Sequence, residues 1–307
     1  MFSGSIVAIV TPFLQGQVDL SSFVKLLHFH INQGTHGLVV AGSTGEGTML
    51  TMHERQELLQ TALQIASSKF PIIAGCSSGS THECLVLLEQ AQKLGCAAAL
   101  VVPPYYVKPR REGVLEHFKK ITELTHIPIL LYNNPGRVGI DLPVDLVLEL
   151  AQLSHIVGIK DSHPNLTRLA LMRKGVYALK KQGKIPQTKP FSVLAGDSSS
   201  FAPALALGAD GCISVTANVL PGLSAKLYSA WKSEDMATFA KARDDLLKMD
   251  SALECDINPV PIKYAVSRLG FCANEMRLPL IPLDSAHVRK VNTVLDHFLI
   301  SSDQQAA

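Results

Sequence analysis

Residues 127–160 read IPILLYNNPGRVGIDLPVDLVLELAQLSHIVGIK. Two apolar runs, 127–132 and 156–160, have the length of buried strands. Between them stand an Asn-Pro-Gly turn at Asn134, Pro135 and Gly136 and a longer amphipathic segment. Strand, helix-length connection and second apolar strand make a βαβ unit, in which the strands run parallel and are covered on both faces.

The unit repeats from one end of the chain to the other. Apolar runs at 5–10, 37–41, 72–75, 98–102, 127–132, 156–160, 191–195 and 211–215 alternate with helix-like segments. Thr51 with Glu54 and Ser80 with Glu83 each fit the capping box, in which a hydroxyl and a carboxylate satisfy the free N–H groups at a helix start. Gly34 and Gly95 stand where helix ends need a left-handed residue. Eight strand-helix units with nearly continuous apolar strands predict an α/β protein of the closed (β/α)8 TIM-barrel type in preference to an open doubly wound sheet. Beyond Ala217 the pattern is mainly helical, so 1–220 is read as the barrel and 221–307 as a C-terminal helical layer packed on it. The end, 301–307, is expected to fray. One stretch breaks the rhythm: 173–190 carries Arg173, Lys174, Lys180, Lys181, Lys184 and Lys189, and reads as a solvated helix extension and loop before the seventh strand.

Composition narrows the function. A chain of 307 residues, 47% hydrophobic with a formal charge of +2, can bury a large core and offers no basic surface interleaved with aromatics for nucleic acid. The start at Met1 and Phe2 lacks a charged leader region, and no run of about eighteen apolar residues occurs, so a cytoplasmic protein without a membrane partner is expected. The six cysteines contain no CxxC pair and several lie in apolar runs, so neither disulfides nor structural zinc is expected. His28 and His30 share a helix but at i, i+2 they point to different faces, which is unsuited to chelation.

In a barrel of this kind reactive groups gather at the carboxyl ends of the strands. Lys160 ends the sixth apolar run, and burial favours the neutral amine, which can condense with a ketone to form a Schiff base. After the second run comes Gly42-Ser43-Thr44-Gly45-Glu46-Gly47, where glycines admit a ligand close to the backbone and two hydroxyls add donors. That suits a small carboxylate, and a phosphate loop is disfavoured because the segment has no GK[ST] ending. After the fourth run comes Pro103-Pro104-Tyr105-Tyr106. Tyr132 ends the fifth run with a phenol able to pass protons, and Arg137 follows a Pro-Gly turn that can aim a guanidinium at a second carboxylate. Gly196 and Ile213, at the ends of the seventh and eighth runs, are close-packing and lining positions expected to contact substrate.

As a set, GSTGEG at 42–47, PPYYVKP at 103–109, LYNNPGRVG at 131–139, GIKDS at 158–162, AGD at 195–197, GCISVTANV at 211–219 and NPVPIKYAVSRLG at 258–270 resemble the pyruvate-dependent class I aldolase superfamily over nearly the whole chain. Within it they resemble the dihydrodipicolinate synthase family. The resemblance implies a lyase that condenses pyruvate with L-aspartate 4-semialdehyde to 4-hydroxy-tetrahydrodipicolinate, in the diaminopimelate route to lysine. It implies no cofactor and no metal, and a cytoplasmic homotetramer. Lys160 would form the Schiff base, Ser43 and Thr44 would bind the pyruvate carboxylate, and Arg137 would hold the semialdehyde carboxylate. Tyr132, Thr44 and Tyr106 would form a proton relay, with Tyr106 donated across a dimer interface. The Ser43-Thr44 pair is usual in the related N-acetylneuraminate lyases, and DLPVD with GIKDS is similar to 4-hydroxy-2-oxoglutarate aldolase. Arg137 in GRVG and the NPVPIKY segment are synthase features. A keto-acid-binding sensor that does not turn over is the reading from another class, and it would not require the relay. In relatives inhibited by lysine, the effector site matches Gly47, Thr48, Met52, Arg55, Gly79, Glu83 and Tyr105 here, and Met52, Arg55 and Gly79 depart from the usual residues. Weak or absent inhibition is expected.

Overall fold

The computed structural model describes residues 1–66 and 70–303. Eight parallel strands close on themselves: β1 (Gly4–Ala8), β2 (Gly37–Val40), β3 (Ile72–Gly75), β4 (Ala98–Val101), β5 (Ile129–Asn133), β6 (Ile156–Asp161), β7 (Ser192–Ala195) and β8 (Gly211–Ser214). Each pairs with the next in sequence, and β8 pairs with β1 through Gly4 opposite Gly211 and Val7 opposite Ser214. A Cβ on Gly211 would run into the backbone of Gly4, so this seam requires glycine. The expected barrel is the one observed. The fifth strand begins at Ile129 instead of 127, because Pro128 has no N–H to give to the ladder.

Side chains alternate across each strand, and this makes two cores. Ile6, Val39, Ile73, Leu100, Leu130 and Ile213 fill the barrel interior, while Val7, Leu38, Ile72, Leu131 and Ile159 pack outward against the helices. Every one of these is essentially removed from water, each contributing roughly 1.5–3 kcal/mol of burial.

Local chemistry sets the helix ends. The Thr51–Glu54 capping box is complete, with both reciprocal hydrogen bonds formed. Ser80 begins the helix Thr81–Leu94 without a side-chain cap bond, a departure from the second expected box; its own N–H is taken by Ser78 Oγ at 3.2 Å. Gly34 and Gly95 both adopt positive φ just past helix ends. The basic stretch forms the end of the helix Thr167–Lys181 and the loop before β7.

After the barrel strands, the helix Pro221–Lys232 lies against β1, and Met236–Leu253 packs beside it. Val260–Arg268 and Ser285–Asp303 complete the C-terminal helices, the latter packing on both of its predecessors. The expected fraying concerns 301–307, of which 304–307 lie outside the described residues; the helix extends to Asp303. Among the described residues no helix is long and apolar enough to cross a membrane. All six cysteines are free thiols.

Candidate active site

Parallel pairing puts Tyr132 of β5 directly beside Lys160 of β6, and Asn133 beside Asp161. Because neighbours in register share a face, Tyr132 and Lys160 both point into the barrel while Asn133 and Asp161 both point out of it. The lysine is 3% exposed, and its Nζ stands 4.2 Å from the centroid of the Tyr132 ring.

The outward pair holds the strand ends rigid. Arg168 Nε donates to Asp161 at 3.1 Å, Arg168 Nη1 to Asp141 at 3.0 Å, and Arg168 Nη2 to the Leu142 carbonyl at 2.6 Å. Asn133 Nδ2 donates to both Asp141 and Asp161 at 2.8 Å, and its Oδ1 accepts from the Leu142 N–H at 3.0 Å. The carboxylate next to Lys160 in sequence is thereby occupied on the far side of the strand. A buried network satisfied at so many atoms fixes one geometry.

The loop after β2 is shaped by two left-handed residues, Ala41 and Glu46. The Ala41 carbonyl presses on Gly47 and Gly75, where a Cβ would overlap it. Buried Arg55 ties the same glycines together, with Nη1 donating to the Gly47 carbonyl at 2.7 Å and Nη2 to that of Gly75. Glu46 forms a fully buried ion pair with Lys263 at 2.5 Å and accepts from the Arg277 N–H at 3.0 Å. Lys263 Nζ and the Arg277 guanidinium stand 4.1 and 4.5 Å from the Phe13 ring centroid. The helix Val260–Arg268 and the segment that follows it thus clamp the loop that carries Ser43 and Thr44.

Asn258, just before the helix Val260–Arg268, joins the parts. Its Nδ2 donates to Thr44 Oγ1 at 3.1 Å, and its carbonyl accepts from Arg137 Nη2 at 2.6 Å. Arg137 rides on the helical turn Pro135–Val138, capped by Asn134 Oδ1, which accepts from the Arg137 N–H at 3.2 Å. Asn134 Nδ2 in turn donates to the Tyr132 hydroxyl at 2.9 Å. Burial by itself pushes the pKa of the Tyr132 phenol up, but Lys160, the Asn134 hydrogen bond and Arg137 outweigh that and hold it below its ordinary value.

A cavity of about 250 Å³ opens at the carboxyl ends of β2 to β5 and is bordered by Ser43, Tyr132, Arg137, Tyr105, Arg55 and Asn258. A second, of about 500 Å³, lies on the β6 to β8 side and includes Asp197, Asp250, Ser162 and, again, Asn258. Of the residues singled out from sequence, Ser43, Tyr132 and Arg137 share the first cavity, Thr44 is bound to its rim through Asn258, and Lys160 stands over Tyr132. Ile213 lies in the barrel interior with Tyr132, and Gly196 approaches Ser162 so closely that a Cβ would overlap its hydroxyl. Tyr106 is 91% exposed, with φ +70°, and stands outside this cavity within one chain.

Asn134, Asn258 and Arg168 were not among the residues singled out. Asn134 precedes a proline and so carried the signal of a capping turn. Asn258 lies 214 residues from Thr44, and no local pattern announces that contact.

The chain is similar to known proteins in sequence and in fold. The family model described as "Dihydrodipicolinate synthetase family" matches residues 1–298. The 4-hydroxy-tetrahydrodipicolinate synthase of Rhodospirillum centenum is 42% identical over 92% of this chain and 93% of its own. That of Parvibaculum lavamentivorans is 41% identical over 95% and 96%. The crystal structure of the chloride-inhibited dihydrodipicolinate synthase from Acinetobacter baumannii, complexed with pyruvate, superposes with a TM-score of 0.89 at 38% identity, covering 96% of this chain and 98% of that one. With a family model spanning nearly its full length and relatives at this level of identity, the chain belongs to the dihydrodipicolinate synthetase family.

Proposed function

We infer that this chain is a Schiff-base lyase that condenses pyruvate with L-aspartate 4-semialdehyde to 4-hydroxy-tetrahydrodipicolinate. The observation that carries the reading is a buried lysine amine above a tyrosine phenol at the carboxyl end of a closed barrel, in a chain of this family. The Lys160 amine adds to the ketone carbon of pyruvate, and the carbinolamine loses its hydroxyl as water to give an imine. The protonated imine nitrogen is the electron sink, so the methyl group gives up a proton and an enamine forms. The enamine carbon attacks the aldehyde, whose oxygen takes a proton. The amino group of the second substrate then displaces Lys160 from the imine carbon and closes the ring.

Roles follow from chemistry and position. Ser43 and Thr44 bind the pyruvate carboxylate, Arg137 binds the carboxylate of the semialdehyde, and Gly196 and Ile213 line the pyruvate side. Tyr132 and Thr44 pass protons, and Tyr106 joins them from a neighbouring subunit. Its exposure, with that of Val107 at 65%, supports such an interface, and we propose a homotetramer built as a dimer of dimers in the cytoplasm. A coupled assay offering pyruvate with a panel of aldehydes tests the reading. Turnover with aspartate semialdehyde is expected to exceed that with glyoxylate or N-acetylmannosamine, and the reverse preference overturns it in favour of a related aldolase.

A further inference from the structure

The Tyr132 hydroxyl accepts a hydrogen bond from an amide whose orientation is fixed. An asparagine side chain can present either its oxygen or its nitrogen to a hydroxyl, and the two ends are interchangeable in shape. At Asn134 the choice is settled by the backbone. Its Oδ1 accepts from the Arg137 N–H, which can only donate, so its Nδ2 is the end that faces Tyr132. An NH2 group can only donate, so the phenol oxygen is held as an acceptor there and cannot give its single proton to Asn134.

We propose that Asn134 is a positioning residue that sets the direction of proton transfer at Tyr132: by donating to the phenol oxygen it turns the O–H into the reaction cavity and stabilises the phenolate left when that proton departs. The inference rests on the lyase reading for its catalytic consequence, but its ionisation consequence stands alone. In the condensation, the phenol gives its proton to the oxygen leaving as water, and the phenolate recovers one from the ammonium or methyl group that loses it. Charge neither accumulates nor is lost over the cycle. The charged groups facing Tyr132 are Lys160 from β6, Arg137 from the turn and Asp197 after β7. Lys160 and Arg137 favour the phenolate and Asp197 opposes it; Asn134 adds a directed donor to that field.

The same side chain caps the turn carrying Arg137, so substitution must separate the two jobs. Asn134→Ser keeps a capping oxygen but is too short to reach the phenol, and Asn134→Asp keeps the cap while offering no N–H. The experiment is a tyrosinate absorbance titration of the full-length protein, with Tyr132→Phe identifying the contribution of Tyr132 among the six tyrosines. Both Asn134 variants are expected to move the Tyr132 transition to higher pH and to lower kcat at least about tenfold, as loss of a tuned proton donor does, with little change in KM for the aldehyde. Circular dichroism and melting curves report whether each variant folds; because one variant is neutral and the other charged, agreement between them assigns the effect to the lost N–H. An unmoved Tyr132 transition in a folded variant, or parental kcat in both, overturns the proposal. Failure of the lyase reading appears separately, as a parent enzyme that forms no borohydride-trapped pyruvate adduct.

Discussion

Tyr132 and Lys160 are register partners on adjacent strands, and the lysine Nζ lies 4.2 Å from the centroid of the phenol ring. A lysine amine is therefore held against an aromatic face with almost no solvent contact. Borohydride added with pyruvate is expected to reduce the imine and leave an adduct on Lys160, located by peptide mass mapping. Lys160→Ala should yield none. An adduct on any other lysine would remove the basis for the mechanism.

Arg137 donates to the Asn258 carbonyl through one nitrogen and is among the residues that border the cavity. Arg137→Ala is expected to weaken use of aspartate semialdehyde by on the order of 1.5–3 kcal/mol in kcat/KM, the scale of a charged hydrogen bond. Formation of the pyruvate imine should change far less. Steady-state kinetics against each substrate checks this, and equal losses for both would move Arg137 to the pyruvate side.

The barrel could be read from sequence because each unit carries its own signal. The run ending at Lys160 is apolar whichever way the neighbouring strands lie, and Thr51 with Glu54 needs only itself to cap a helix. Contacts between distant segments carry no such signal. Glu46 meets Lys263, and Thr44 meets Asn258, only once the C-terminal helices have docked. Ser80 shows the converse: the right residues at the right spacing did not form the expected bond, because capping depends on a rotamer that the tertiary surroundings choose. Family resemblance implies roles for Lys160, Tyr132, Thr44 and Tyr106, while the amide donors beside two of them are visible only in the folded structure.

Tyr106 is exposed in one chain, so the proposed part in catalysis requires a neighbour. Tyr106→Phe removes the hydroxyl and leaves the ring, and is expected to lower turnover while sedimentation shows the same assembly as the parent. Dilution until the assembly dissociates should lower specific activity in the parent more steeply than in the variant. A variant with parental turnover would make Tyr106 a packing residue.

Asp250 gives the molecule a pH dependence of opposite sign to that of most carboxylates. The residue is 6% exposed, and burial pushes its carboxyl up to about 7, with Thr216 donating to it and Glu254 and Asp197 adding repulsion. The unfolded chain releases this proton near pH ~4. Between about pH 4 and 7 the folded state keeps a proton that the unfolded state has lost, so this group's contribution to stability falls as pH rises and levels off above 7. Asp250→Asn retains an acceptor for Thr216 and cannot ionise. Its stability is expected to gain on the parent's as pH rises from 4 to 7, reaching a difference on the order of 1–4 kcal/mol, read as a widening gap between the two melting temperatures. Parallel melting curves across that window would show that Asp250 is not the titrating group.

Inhibition by lysine is the last expectation, and the structure gives it a physical basis at Arg55. The position matched to the effector site holds a guanidinium that is 5% exposed, donates to the Gly47 and Gly75 carbonyls and borders the cavity beside Tyr105. Its charge has no carboxylate partner within ion-pair distance among the described residues. An incoming ammonium would meet that cation in a poorly hydrated site, where like charges repel strongly. It would also find two backbone carbonyls already occupied. Met52, 40% exposed, offers only a weak thioether acceptor, and a side chain larger than hydrogen at Gly79 would crowd the Tyr105 carbonyl at 3.2 Å. Turnover is therefore expected to stay flat as lysine is raised into the millimolar range. Arg55→His, which removes the permanent charge and supplies an acceptor, is expected to increase sensitivity. Strong inhibition of the parent at sub-millimolar lysine would show that the effector binds without these positions.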